Sequence, residues 1–332
     1  MDHDTSVPNP ARHPMNKTPS IRRYTPDDAE AWNAFVAASG NGTFLHDRGF
    51  MEYHADRFTD HSLVVEAEGV IVALLPANRD GCVLKSHGGL TYGGLITGPS
   101  MSAALMVDII AALREALIAE GFERLIYKAI PHIFHRYPAE QDVYALIQQG
   151  AQVSQVDLSS AVSLGHAPKM SKSKRQGATR ARKAGLEPRE SDDFAGFWEM
   201  LTARLSDAHD AAPTHTLDEI TLLRARFPDR IRLYVADGAA GAEGGVVVFD
   251  CGGAVHVQYM ATTDAGRQNG ALDLIVAHLL AEVYADRAWL NFGISTTDAG
   301  RTLNTGLARQ KEMFGARSVL FTQYNWDLRQ TS

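Results

Sequence analysis

The residues best suited to chemistry crowd into the last third of the chain. His256-Val257-Gln258-Tyr259 leads into Gly266-Arg267-Gln268-Asn269-Gly270-Ala271, and then into Asn291-Phe292-Gly293-Ile294-Ser295 and Asn304-Thr305-Gly306-Leu307. The pattern reads as strand, polar turn, helix, strand, polar turn. A Gly-containing turn between a strand and a helix lets backbone N–H groups face a phosphate, and the helix dipole adds to the attraction. Arg267, Gln268, Asn269 and Gly270 are therefore expected to hold the pyrophosphate of an acyl carrier. Such turns also arise for purely geometric reasons.

Lys169, Lys172, Lys174, Arg175, Arg180, Arg182 and Lys183 fall in a stretch without an acidic residue. Arg and Lys so clustered bind phosphate by charge and by bidentate hydrogen bonds. Lys174, Arg175 and Arg180 are expected to contact phosphates of coenzyme A, of a nucleotide-linked sugar, of tRNA or of a cyclic nucleotide; the alternative is a solvated linker helix. No aromatic interleaves the cluster, which argues against base stacking there.

His215 follows Pro213 and Thr214 in an expected loop, where an imidazole titrates near neutral pH and can take a proton from an attacking amine. It is the expected general base, with a helix-capping role as the alternative. Tyr259, at a strand end, is expected to protonate a leaving thiolate or position the acyl carbonyl, or simply packs at the sheet edge. Lys311 and Glu312 share a helix with Asn304; Glu312 is an alternative base, and Lys311 a contact for a carboxylate or phosphate. Asn291, Ser295 and Asn304 are given binding roles. His87 and Tyr92 lie in Ser86-His87-Gly88-Gly89-Leu90-Thr91-Tyr92-Gly93-Gly94, too glycine-rich for an ordinary central strand. They are expected on the acceptor side of a cleft, with His87 also the competing candidate for the general base, and with a bulged strand or tight hairpin as the other explanation. No Gly-Lys-Ser or Gly-Lys-Thr ending marks a nucleotide P-loop. Neither a serine nor a cysteine nucleophile motif nor metal-type spacing is present, so the simplest chemistry is direct attack of a substrate amine on a bound thioester or ester.

These residues need elements to hold them. Apolar alternation and helical spacing predict strand 21–24, helices 27–38 and 48–58, strands 62–66, 70–76 and one within 83–92, helix 102–120, strand 124–129, helix 139–149 and strand 152–158. After the basic segment the order repeats: helices 193–208 and 217–226, strands 231–236, 245–249 and 255–261, helix 270–285, strand 289–292, helix 299–314 and strand 318–324. Two halves with one order of elements imply a tandem α/β repeat, in which 1–19 is a disordered tail, 20–160 an N-terminal domain on the acceptor side, 161–190 a basic linker helix and 191–328 a C-terminal domain on the donor side.

At 332 residues two domains with ample cores are expected. A net charge of -7 excludes a protein built globally to coat DNA or RNA, and a local basic site remains compatible. Two cysteines far apart, Cys82 and Cys251, support neither a disulfide framework nor zinc and fit a reducing, cytoplasmic setting. No apolar run approaches the roughly 20 residues of a membrane span, and residues 1–19 lack a signal-peptide pattern.

Each half, with two helices before a three-stranded meander and then strand-helix-strand, resembles the GNAT acyltransferase fold, an α/β fold on a mixed sheet. The tandem arrangement resembles the FemAB-related branch of that superfamily. The motifs that carry it are Pro213-Thr214-His215-Thr216, His256-Val257-Gln258-Tyr259, Gly266-Arg267 with Gly270-Ala271, Asn291-Phe292-Gly293-Ile294-Ser295, Gly306-Leu307, Lys311-Glu312 and Phe314-Gly315-Ala316-Arg317. In the pyrophosphate pattern of the family Leu272 stands where Gly or Ala is usual. The resemblance implies a bacterial N-acyltransferase using acetyl-coenzyme A, without a metal, on an amino sugar or another cell-envelope polysaccharide precursor, free or lipid-linked, with peripheral membrane contact. The alternatives are a peptidoglycan-precursor ligase using aminoacyl-tRNA, and a non-catalytic nucleotide-sensing module.

Overall fold

The computed structural model describes residues 19–166, 169–209, 212–239 and 241–330; most of the expected tail, residues 1–18, lies outside it. The first half runs β1 (Ser20–Arg23), α1 (Ala29–Ala38), α2 (Arg48–Met51), β2 (Thr59–Asp60), β3 (Leu63–Ala67), β4 (Val70–Leu75), β5 (Asn78–Asp80), β6 (Val83–Lys85), β7 (Ile96–Thr97), α3 (Ala103–Ala119), β8 (Arg124–Lys128), α4 (Gln141–Gln148) and β9 (Gln152–Ser163). The second runs α5 (Lys172–Lys183), β10 (Glu187–Ser191), α6 (Phe194–His209), α7 (Leu217–Arg226), β11 (Ile231–Gly238), β12 (Gly241–Asp250) and β13 (Ala254–Thr262). It closes with α8 (Asp264–Asn269), α9 (Ala271–His278), β14 (Trp289–Ile294), β15 (Thr296–Thr297), β16 (Thr302–Leu303), α10 (Thr305–Glu312) and β17 (Arg317–Asp327).

Local chemistry sets these elements. In α3, Leu105, Ile109, Leu113 and Leu117 recur at helical spacing and are buried, Ser102 Oγ caps the start by accepting from the Leu105 amide, and Gly121 follows at φ 81°. In α7 a reciprocal box joins Thr216 and Glu219. Strand β12 carries Val246, Val247 and Val248, all fully buried, as expected of a strand covered on both faces.

The halves are joined by an exchange. An eleven-stranded sheet has the order β10-β11-β12-β13-β14-β9-β17-β8-β6-β5-β2, so the last strand of the first half lies beside β14 and the last strand of the second lies beside β8. The two exchanged strands pair antiparallel, Phe321 opposite Asp157 and Gln323 opposite Gln155. A second sheet holds β1-β3-β4-β7. One core is shared between halves, with Trp32, Phe50 and Phe134 meeting Trp198, Leu233 and Phe249. Separate cores form under α3 and α4 and under α9.

Three expected elements differ. The expected polar turn at 266–269 is helical, as α8, and helix 270–285 becomes a left-handed Gly270 at φ 89°, α9, and a π turn at Leu279–Val283. Helix 299–314 begins only at Thr305, because Asp298, Ala299 and Gly300 take positive φ and close a small hairpin between β15 and β16. The glycine-rich stretch forms a loop between β6 and β7, where a Cβ on Gly89 would strike the His54 ring and one on Gly93 the Ser86 carbonyl. The close approach that requires glycine there is to the protein itself. Among the described residues no helix is long and apolar enough to cross a membrane, and no group of three metal-ligating side chains converges.

Candidate active site

In each half one pair of strands runs parallel: β6 with β8, and β13 with β14. The second pairing ends at His256 opposite Asn291, although both strands continue, so β13 and β14 part immediately beyond these residues. At that fork Asn291 is wholly buried and its amide nitrogen donates to Ser159 Oγ at 2.8 Å and to the Ser160 carbonyl at 3.3 Å. Its Oδ1 therefore faces the other way, accepting from the Gly293 amide at 3.0 Å and contacting His256 Nδ1 at 2.8 Å. An amide oxygen only accepts, so Nδ1 carries the proton and Nε2 the lone pair; this tautomer is assigned from the network. Burial pushes the imidazole down to about 4, against the opposing effect of the Asn291 bond, so it is neutral at pH 7.

His256 lines a cavity of about 350 Å³ to which both halves contribute. Thr91 and Lys128 come from the first half, Gly293 and Ile294 from the end of β14, and Asp157 and Phe321 from the exchanged strands. Lys128 Nζ donates to the carbonyls of His87, Gly88 and Leu90 at 3.3, 3.2 and 2.7 Å, fixing the glycine-rich loop, and burial lowers it to about 8. Lys311 does the same for the end of β14, donating to Gly293 and Ile294 at 2.9 and 2.6 Å; burial lowers it to about 8 as well.

A second cavity of about 230 Å³ shares Leu90 and Thr91 with the first and is more aromatic, with Phe50, Tyr53 and Phe249 in its wall. His215 lines it and is tied to Tyr259 behind it: His215 Nδ1 and the phenol oxygen are 2.5 Å apart, and the His215 amide donates to the same oxygen at 3.2 Å. Burial, then the neighbouring His54, lowers His215 to about 4. With Nδ1 taken up by Tyr259, only Nε2 is left for a ligand. Gln258 also lines this cavity, and it sits at an irregularity where Val247 pairs with Tyr259 and Val248 with Val257, leaving Gln258 unopposed on β12.

The remaining expected site residues scatter. Tyr92 offers its ring to the first cavity, while its hydroxyl is buried against Thr43 and Cys251. His87 is buried at φ 52°, 5.3 Å from the His54 ring, and lines neither cavity. Residues 266–271 form no open phosphate turn: Arg267 pairs with Asp264 at 3.0 Å, Gln268 is exposed, Asn269 donates to Glu243 at 2.8 Å, and Gly270 lies under α5. Lys174 turns inward to Asp273 at 2.7 Å, Arg175 donates to the Met170 carbonyl, and Arg180 is exposed. Asn304 caps α10, Ser295 is buried with an unpartnered hydroxyl, and Glu312 is exposed and lines neither cavity. His256, Asp157 and Lys128 carry no role in the motifs of the sequence, although His256 lies within one of them. Only strand pairing reveals them: His256 acquires its partner from a residue 35 positions away.

No protein-family model matches the chain, and no curated protein matches it in sequence. Solved structures do match in fold. FemX superposes with a TM-score of 0.65 at 11% identity, over 93% of this chain and 97% of that one. L-PGS from Bacillus licheniformis gives 0.60 at 12% identity over 91% of each chain. The C-terminal domain of a putative lysylphosphatidylglycerol synthetase from Agrobacterium fabrum gives 0.59 at 12%, covering 90% and 91%. The chain thus shares its fold, over nine-tenths of its length, with FemX and with L-PGS.

Proposed function

We propose that the protein is an acyltransferase that forms an amide on an amine, with the reaction centred on the cavity between its halves. The observation that carries this reading is the His256–Asn291–Ser159 relay, which leaves a neutral imidazole with a lone pair at the cavity wall. As the amine nitrogen bonds to the acyl carbon it becomes acidic, and His256 Nε2 takes its proton; the leaving thiolate or alkoxide is expelled and takes up a proton in turn. The His215–Tyr259 pair, at the adjoining cavity, serves the leaving-group side.

The donor favoured is acetyl-coenzyme A and the acceptor an amino sugar or similar envelope precursor. A coenzyme A pyrophosphate would have to lie elsewhere than at Arg267–Gly270, since Gly270 is covered by α5. One observation favours a second donor, aminoacyl-tRNA: Lys172, Arg180, Arg182 and Lys183 are all exposed on α5. The deciding experiment offers acetyl-coenzyme A or charged tRNA with glucosamine to the wild type and to His256→Gln. Acylation lost in the variant supports the reading; no acylation by the wild type with either donor sinks it, and binding without turnover points to a sensing module.

A further inference from the structure

We propose that Asp157 is a docking carboxylate for a protonated amine on the acceptor, which makes the first cavity a site for hydroxyl-bearing primary ammonium compounds of the amino-sugar class. The identification of this cavity as the acceptor's rests on the acyl-transfer reading above.

Asp157 projects from β9 into the cavity with both oxygens oriented. Thr296 Oγ donates to Oδ1 at 2.6 Å and Gln155 Nε2 donates to Oδ2 at 2.7 Å. Both donors are neutral, so they aim the carboxylate without cancelling its charge. A carboxylate offers about four lone-pair sites, and two are filled. The cations that could neutralise it are committed: Lys128 spends its three protons on three loop carbonyls, and Lys311 is held by two carbonyls of β14. Among the described residues no Lys, Arg or His forms an ion pair with Asp157.

The surroundings suit an ammonium ion. Phe321 stands directly opposite Asp157 in the strand register and lines the same cavity, so a bound cation lies between a carboxylate and an aromatic ring. Gln323, Thr322 and Thr91 complete a wall of amides and hydroxyls, able to pair with sugar hydroxyls in either direction. A phosphorylated or carboxylate-bearing acceptor would find no free cation here. Ammonium docking has a kinetic consequence: the nucleophile is the free amine, and a carboxylate beside it holds on to its proton.

Calorimetric titration at pH 6.5 with the matched pair glucosamine and glucose tests this. The wild type is expected to bind glucosamine at least about tenfold more tightly than glucose, the scale of one charge-assisted hydrogen bond. Asp157→Asn, isosteric and still paired to Thr296, is expected to bring the two within about twofold while leaving glucose unchanged, and Asp157→Ser repeats the measurement should the first variant fold poorly. In turnover, the acid limb of the kcat–pH profile should move down by about one pH unit in Asp157→Asn, because the bound amine releases its proton more readily. Equal binding of the two sugars by the wild type, or a full preference retained in the variants, overturns the proposal. A preference lost in the variants alongside a wild type that acylates nothing supports the subsite and overturns the transfer reading instead.

Discussion

Gly177 and Gly270 touch backbone to backbone: a Cβ on Gly270 would stand 2.6 Å from the Gly177 carbonyl oxygen, and one on Gly177 would collide with the Asp273 carboxylate. This contact seats α5 on the start of α9. Gly270→Ala adds a methyl at φ 89° against main chain that cannot swing aside, a cost of about 2 kcal/mol or more. A thermal midpoint lower by about 5 °C is expected; an unchanged midpoint would mean that α5 is not held there.

Lys174 belongs to the same joint. Its ammonium pairs with Asp273 with both side chains 15% exposed, and it lies 4.3 Å from the Phe314 ring centroid. Lys174→Ala should therefore destabilise the fold by roughly 1–3 kcal/mol, more than an exposed pair would, whereas Lys172→Ala should leave the denaturant midpoint where it is. Equal midpoints for the two variants would remove Lys174 from the structural account.

At the fork of β13 and β14, His256→Gln removes the lone pair while keeping a polar side chain. A fall in kcat of roughly 10²- to 10⁴-fold is expected with the far-ultraviolet spectrum unchanged. Asn291→Leu leaves Ser159 and the Gly293 amide unpaired in a buried site, so it should lower both kcat and stability. Should His215→Gln abolish turnover while His256→Gln spares it, the base lies in the other cavity.

Much of the chain order could be read locally, because caps and periodicity are local: the Thr216–Glu219 box and the apolar stripe of α3 announce themselves within a few residues. Interactions across long separations could not. Phe321 faces Asp157, and Asn291 reaches Ser159, only because the last strands change places between halves, an event with no trace in hydrophobic alternation. The hairpin before α10 has one local sign, Gly300, while Ala299, Arg301 and Leu303 suit a helix equally; the positive φ of Asp298, Ala299 and Gly300 decides it. His215 and Tyr259, both singled out by residue type, do meet, while Glu312 stands exposed apart from either cavity.

Acid should loosen this protein earlier than its carboxylates alone would. Burial lowers His46, His54, His215 and His256 to about 4 and His87 to about 3, all below the ordinary value of 6.5. In the unfolded chain these rings take up protons as pH falls through 6.5, whereas in the folded protein they stay neutral until about 4. Their contribution to stability is therefore complete above pH 6.5 and is lost as pH falls from there toward 4. Denaturant midpoints measured from pH 7.5 to 4.5 should decline steadily below 6.5; a flat curve down to pH 5 would show that these imidazoles are charged in the native state.

The outward face of α5 poses the last test. Lys172, Arg180, Arg182 and Lys183 are exposed on a helix whose opposite face, Gly177, Ala178 and Ala181, is buried, so they can change without disturbing the joint. Against a net charge of -7 this face is a local positive field, and contacts with phosphates release counterions, which makes binding fall steeply with salt. Replacing Lys172, Arg180 and Lys183 together by Ala should leave stability unchanged. If aminoacyl-tRNA is the donor, the variant should bind tRNA more weakly, with a log–log salt slope shallower by about two to three. If the donor is an acyl-coenzyme A, the same variant should keep its kcat and show no dependence on tRNA. The comparison thus separates the two donors without touching His256, Asp157 or the fork of β13 and β14.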